Sequence, residues 1–195
     1  MKDQGNRDLP ILSFENQPGW ETWLKQHHAD SNGVRIKIAK KGSEVASIGY
    51  AGAVESALCY GWIDSQASSF DSQYYLQKFS PRKQKSKWSK LNCEKADALI
   101  AAGRMQPSGY HQVELAKADG RWEAAYDPQS KIIIPDDLQR ELDQNPAAKE
   151  FFNTLGSQNR YAILHRIQDA KKPETRARRI HKFVDMLARN QKIYP

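Results

Sequence analysis

Trp62-Ile63-Asp64-Ser65-Gln66, then Ala67-Ser68-Ser69-Phe70-Asp71-Ser72, then Gln73-Tyr74-Tyr75-Leu76-Gln77-Lys78-Phe79 is the stretch whose pattern sets the fold class of this chain. Its two ends are rich in aromatic and apolar residues and the Ser/Asp run between them is polar. The pattern predicts two strands, Trp62 to Gln66 and Gln73 to Phe79, paired as a hairpin. Pro81 cannot donate to a strand ladder and stops the second one. Upstream, Val34, Ile36 and Ile38 alternate with Arg35 and Lys37, which predicts a half-buried strand to Ala39, ended by Lys41-Gly42-Ser43. Helices flank these strands. Pro18-Gly19-Trp20 opens one that runs to about His28, with Trp20, Trp23 and Leu24 on one side. Residues 46 to 60 fit another, with Tyr50, Val54, Ala57 and Leu58 at spacings of three and four and Gly61 as the left-handed residue that ends it.

Downstream the periodicity is helical. Asn92 reads as the N-cap of a helix through Ala102 closed by Gly103, and Pro107 starts another that ends near Asp119-Gly120. Residues 120 to 134 form a turn-rich connection. Helices then begin at Pro135, Pro146, Ser157 and Pro173, with Phe151, Phe152, Leu155, Tyr161, Ile163, Leu164, Ile167, Ile180, Phe183, Val184 and Leu187 as the expected core. The expected architecture is α+β: a small, mostly antiparallel sheet with flanking helices, followed by a C-terminal helical bundle. The expected division is an α+β domain over 1–130 and a helical domain over 131–195.

With 195 residues, 39% of them hydrophobic, the chain is long enough to bury a core, and its five tryptophans, eight tyrosines and six phenylalanines supply large apolar areas for it. No stretch reaches the roughly 20 apolar residues that span a bilayer. Met1-Lys2-Asp3-Gln4-Gly5-Asn6-Arg7-Asp8 is polar and lacks the apolar run of a secretory signal, so the expected compartment is the cytoplasm. Cys59 and Cys93 form no disulfide framework or zinc spacing and read as small core residues. The adjacent His27 and His28 cannot both face one metal from a helix, and no cofactor motif is present.

Charge is uneven. The formal net charge is +7; Lys78 to Lys90 carry six basic residues and no acid, residues 165 to 195 carry a net +6, and the rest of the chain sums to −5. Within the first block, Ser80, Arg82, Lys83, Ser86, Lys87, Ser89 and the helix start at Asn92 combine cations, hydroxyls and backbone N–H groups, the chemistry that cradles a phosphate or carboxylate. Arg82 is the candidate for a two-pronged grip and Trp88 for a stacking face. Trp62, Asp64, Arg121, Trp122 and Asp127 are the expected supports, Asp64 by pairing with Arg82 or Arg121. The bland alternative is that Ser89 and Asn92 only cap a helix, Trp88 packs inside and the cations are solvated. Cys59 as a nucleophile lacks an activating base in any partner motif.

The runs Ala57-Leu58-Cys59-Tyr60-Gly61-Trp62-Ile63-Asp64-Ser65, Lys78-Phe79-Ser80-Pro81-Arg82-Lys83 with Ser86-Lys87-Trp88-Ser89, Gly120-Arg121-Trp122 with Ala125-Tyr126-Asp127, and Glu174-Thr175-Arg176-Ala177-Arg178-Arg179-Ile180 together resemble the YdeI/OmpD-associated, or bacteriocin-protection, family over roughly residues 18 to 190. The resemblance implies a cytosolic bacterial protein linked to resistance against antimicrobial peptides or to envelope stress, with no reaction to carry over. The family pattern has glycine where this chain has Ser65 and arginine where it has Lys78 and Lys83.

Three functions follow as expectations. The first is a non-catalytic, protection-type protein that binds an anionic small molecule or acidic partner through the basic segment. The second is an enzyme acting on a phosphorylated or acylated small molecule, with Asp64 as base. The third is a nucleic-acid binder that uses Arg176, Arg179 and Lys182, spaced at three along the last helix, to track a phosphate backbone. The sequence leaves oligomeric state open.

Overall fold

The computed structural model describes residues 9–128 and 132–195. The N-terminal octapeptide read for a signal, and residues 129–131, where the expected domain boundary falls, lie outside the described residues. Two units emerge: one runs to Trp88 and resumes over Asn92–Ala124, the other takes Ser89–Leu91 and Ala125–Pro195.

The first unit is built on a four-stranded sheet: β1 (Ile11–Ser13), β2 (Val34–Ala39), β3 (Trp62–Ser69) and β4 (Tyr74–Pro81), in the order β1-β2-β4-β3. β2 and β3 both run antiparallel to β4, and β1 adds in parallel at the edge of β2. The hairpin is longer than its composition suggests. β3 continues to Ser69 through a bulge between Asp64 and Ala67 that keeps its pairing with β4, so the first half of the expected loop is strand. Pairing of Val34 with Phe79, Ile36 with Gln77 and Ile38 with Tyr75 puts these side chains on one face.

Helices α1 (Gln17–His27) and α2 (Tyr50–Cys59) cover that face. Asn16 caps α1 by accepting from the Gly19 N–H at 3.0 Å. The buried indole of Trp20 meets Phe79 at 5.7 Å and Trp62 at 6.2 Å between centroids and donates to the Ala53 carbonyl of α2. Burying three such rings is worth several kcal/mol and fixes α1 against the sheet. The expected start of α2 at residue 46 is corrected to Tyr50. Ser47 Oγ accepts from the Ala39 N–H and the Ile48 N–H donates to Phe14, so this segment is pinned to its surroundings as extended chain. Tyr50 is accordingly exposed rather than part of the apolar face. Gly61, at φ +72°, ends α2 with no room for a Cβ, which would stand 2.7 Å from the Ser108 carbonyl. Helix α3 (Lys90–Ala101), from Asn92 on, and α4 (Pro107–Ala118) complete the unit, and α4 meets the end of α2 through Gly109.

The second unit holds α5 (Asp136–Asp143), α6 (Pro146–Thr154), α7 (Ser157–Gln168) and α8 (Pro173–Ala188). Phe152, Ile163, Leu164, Ile167, Ile180, Phe183, Val184 and Leu187 are buried as expected, and Leu138, Leu142 and Ala148 join them. Phe151 and Leu155 pack at the margin of this cluster. Among the described residues no helix is long and apolar enough to cross a membrane.

Candidate anion-binding turn

β4 delivers the chain into a turn, Arg82 to Trp88, that is tied down from inside. The Ser86 N–H donates to the Lys83 carbonyl at 2.8 Å and the Lys83 N–H donates to Ser86 Oγ at 3.0 Å, closing the loop on itself. Arg82 is the internal strut. Its guanidinium lies 3.6 Å over the Trp88 ring, one Nη donates to the Lys87 carbonyl at 3.1 Å, and the residue is only 6% exposed. A stacked, buried cation of this kind is worth about 2 kcal/mol to the turn. Arg121 braces the other side, donating to the Ser86 carbonyl at 3.0 Å while its Nε bonds both oxygens of Asp119 at 2.7 and 2.8 Å. The Arg121 hydrogen bonds in turn hold the Asp119 carboxyl below the usual range. Trp88 packs on Trp122 at 4.9 Å, and Lys117 stands 4.8 Å over the Trp122 ring.

The consequence is a division of labour among the expected site residues. Arg82 and Trp88 are buried and serve the frame, whereas Lys83 and Lys87 are exposed on it, as is Lys85, which was not among the expected residues, and Ser86 is half-buried between them. Two buried donors of the frame, the Trp88 indole N–H and an Arg121 Nη, have no acceptor among the described residues. In Trp20 and Trp62 the same indole N–H is spent on a carbonyl, of Ala53 and His28 respectively. Buried donors ordinarily find a partner, so each of these two marks a position where an acceptor oxygen is favoured.

Other expected members fall elsewhere. Ser80 is half-buried on β4, paired in register with Ile63. Asp64 does not pair with Arg82 or Arg121; its carboxylate accepts from the Tyr50 hydroxyl at 2.6 Å. The bulge and the start of α2 bring those two together. Asn92 is not the cap: the helix begins two residues earlier, at Lys90, and Asn92 lies in its first turn. Ser89 and Asp127 belong to the second unit, where Ser89 bridges to Tyr126 and Asp127 bonds Lys90 Nζ at 2.6 Å and the Gln168 amide at 2.7 Å. Trp62 is core. Burial pushes the Cys59 and Cys93 thiols each up to about 11, away from the thiolate a nucleophile needs.

The second basic block is used differently. Arg176 grips Asp137 with Nε at 2.5 Å and Nη2 at 2.9 Å and donates to the Ile167 carbonyl. Arg179 donates to the Arg166 carbonyl and stands 3.9 Å from Asp169. Of the row Arg176, Arg179 and Lys182, Lys182 is the exposed one. Sequence spacing had placed all three on one flank, and it carries no signal for which internal acceptors such side chains meet. Equally invisible was Tyr50 as the partner of Asp64; Arg121, named from the sequence as a support, meets the turn at the Ser86 carbonyl.

Comparison with known families finds two matches. The family described as Domain of unknown function (DUF8412) matches residues 12–112, and the family described as Bacteriocin-protection, YdeI or OmpD-Associated matches residues 131–190. The resemblance drawn above over 18–190 thus divides, its last motif falling in the second match and its first two in the other. No curated protein and no solved structure matches the chain.

Proposed function

Because the chain belongs to the family described as Domain of unknown function (DUF8412) and carries a bacteriocin-protection, YdeI or OmpD-associated domain in its second half, we propose that it is a non-catalytic, protection-type protein of the cytoplasm that captures an anionic group on the turn Arg82–Trp88. The observation that carries the reading is the turn's construction: a frame held by buried Arg82 and by Arg121, exposed lysines at 83, 85 and 87, and two buried N–H donors without an acceptor among the described residues. A rigid frame lowers the entropic cost of gathering several cations around one anion. Phosphate and carboxylate both meet the chemistry, so the ligand is a phosphorylated small molecule or an acidic segment of a partner. Nucleic-acid capture by the last helix is less well supported, because Arg176 and Arg179 are engaged inside the bundle.

The test is a thermal-shift titration with tripolyphosphate and, separately, with an aspartate-rich peptide. A ligand at 100 times its Kd adds about 2.7 kcal/mol to the native state, a rise of several degrees in Tm. The rise is expected for the wild type and lost in Lys83→Gln/Lys85→Gln/Lys87→Gln. An equal rise in both proteins would place the anion elsewhere.

A further inference from the structure

One crevice of the second unit is lined by rings and by a cation that meets no acid. Gln158, Tyr161, Ala162, His165 and Arg166 recur at spacings of three and four along α7, which puts them on one stripe of the helix. With Tyr194 they bound a cavity of about 400 Å³, inside the range of small-molecule sites. Tyr194 is a wall of it because its main chain is pinned. The Asn159 side chain, on a residue only 8% exposed, accepts from the Tyr194 N–H at 2.9 Å and donates to the Tyr194 carbonyl at 3.2 Å. Ala162 is buried and small, which leaves space at the middle of the stripe. The rings of Tyr161 and His165 lie 5.4 Å apart and within 14° of parallel. Arg166 is the cation, and it is half-buried. One Nη donates to the Ala162 carbonyl at 2.9 Å, the other stands 3.5 Å from the Tyr194 hydroxyl, and the guanidinium carbon lies 5.9 Å from the Tyr194 ring centre. A hydrogen bond of 3.5 Å is weak, so the fork keeps donors for another acceptor. No carboxylate pairs with Arg166 among the described residues, whereas Arg176 and Arg179 of the same unit face Asp137 and Asp169.

We infer that this crevice binds a small planar aromatic acid, its carboxylate on Arg166 and its ring against Tyr161 and Tyr194. Charge complementarity names the acid: a guanidinium fork matches the two oxygens of a carboxylate. The rings of the lining name the flat partner, since aromatic faces and edges attract one another beyond the area they bury. A single arginine balances a single charge, which suits a monoacid and not a polyphosphate. The volume suits a free small molecule. This reading does not rest on the Arg82–Trp88 turn, which contributes no residue to the crevice.

The experiment is equilibrium dialysis of the full chain against 2-naphthoate, 2-naphthamide and cyclohexanecarboxylate, with circular dichroism on every variant. Saturable binding of 2-naphthoate is expected. The amide keeps the ring and lacks the charge, and is expected to bind about tenfold more weakly or worse. Cyclohexanecarboxylate keeps the charge and lacks the flat ring, and is expected to lose about three- to tenfold. Arg166→Gln is expected to lower the affinity for 2-naphthoate about tenfold and to leave that for 2-naphthamide unchanged, a split that a folding defect does not give. Tyr194→Ala is expected to weaken both aromatic ligands about threefold or more. The turn variant Lys83→Gln/Lys85→Gln/Lys87→Gln is expected to bind 2-naphthoate as the wild type does. No saturable binding of 2-naphthoate overturns the inference. So does equal affinity for the acid and either of the other two compounds, a loss in Arg166→Gln that is absent or equal for acid and amide, or loss only in the turn variant.

Discussion

The two basic blocks carry the same net charge of +6 and end in opposite states. In the turn, the block's one arginine goes inward and the lysines stay out: Arg82 lies on Trp88, Arg121 from outside the block reaches Ser86 and Asp119, and Lys83, Lys85 and Lys87 are exposed. In the last helix Arg176 and Arg179 are spent on Asp137, Asp169 and main-chain carbonyls, and they close a bundle. Arginine is the inward residue in both, as its flat, weakly hydrated fork allows. What differs is the remainder: an ordered row of cations on a short loop in one case, scattered solvated positions on a helix in the other. Charge density in a sequence therefore says little about binding until the internal acceptors are known.

The largest expected effect tests the inward side of the turn. Arg82→Ala removes a buried stack and a charged hydrogen bond, and is expected to cost about 3 kcal/mol by denaturant unfolding, with Arg82→Lys recovering part of it. A cost below about 0.5 kcal/mol would mean the guanidinium is not a strut. Next comes the helix. Arg176→Ala is expected to cost about 1 to 2 kcal/mol, a value reduced by the partial exposure of both partners. The Arg176 guanidinium holds the Asp137 carboxyl below the usual range. A depressed folded pKa gives stability that is fully present above the unfolded value of about 3.9 and is lost as pH falls through the folded one. Acid unfolding of Arg176→Ala should therefore be shallower below pH 4 than that of the wild type, and identical slopes would count against the pair.

Smaller still on stability is the triple lysine-to-glutamine change, expected within about 0.5 kcal/mol of wild type while anion affinity falls at least tenfold. The smallest effect separates binding from catalysis. Asp64→Asn keeps an acceptor for the Tyr50 hydroxyl and should leave tripolyphosphate affinity unchanged, whereas turnover that vanished in this variant would restore the enzymatic reading.

Much of this architecture is legible in the residues. Proline at the head of α4, α6 and α8 and the alternation Val34-Ile36-Ile38 act locally, and each element begins or faces where they say. β1 was not foreseen: three residues show no periodicity, and Ile11–Ser13 become a strand only because β2 offers a parallel edge. The first turn of α3 was misread at Asn92 because Ser89 and Asn92 are both capping types and spacing alone does not rank them. For the candidate site, the sequence marks the cations but not their direction. Whether a side chain enters the fold depends on partners such as Asp119 and Asp137, distant along the chain and outside the quoted motifs.

The most direct measurement is a nitrogen-edited NMR titration of the tryptophan side chains with tripolyphosphate, the Trp88 indole assigned through Trp88→Phe. The account predicts a saturable shift of the Trp88 indole N–H, and of an Arg121 guanidinium signal, while those of Trp20 and Trp62, already bonded to carbonyls, stay in place. A Trp88 signal that does not move, or that only drifts with all the others as salt is added, would contradict an anion site at this turn.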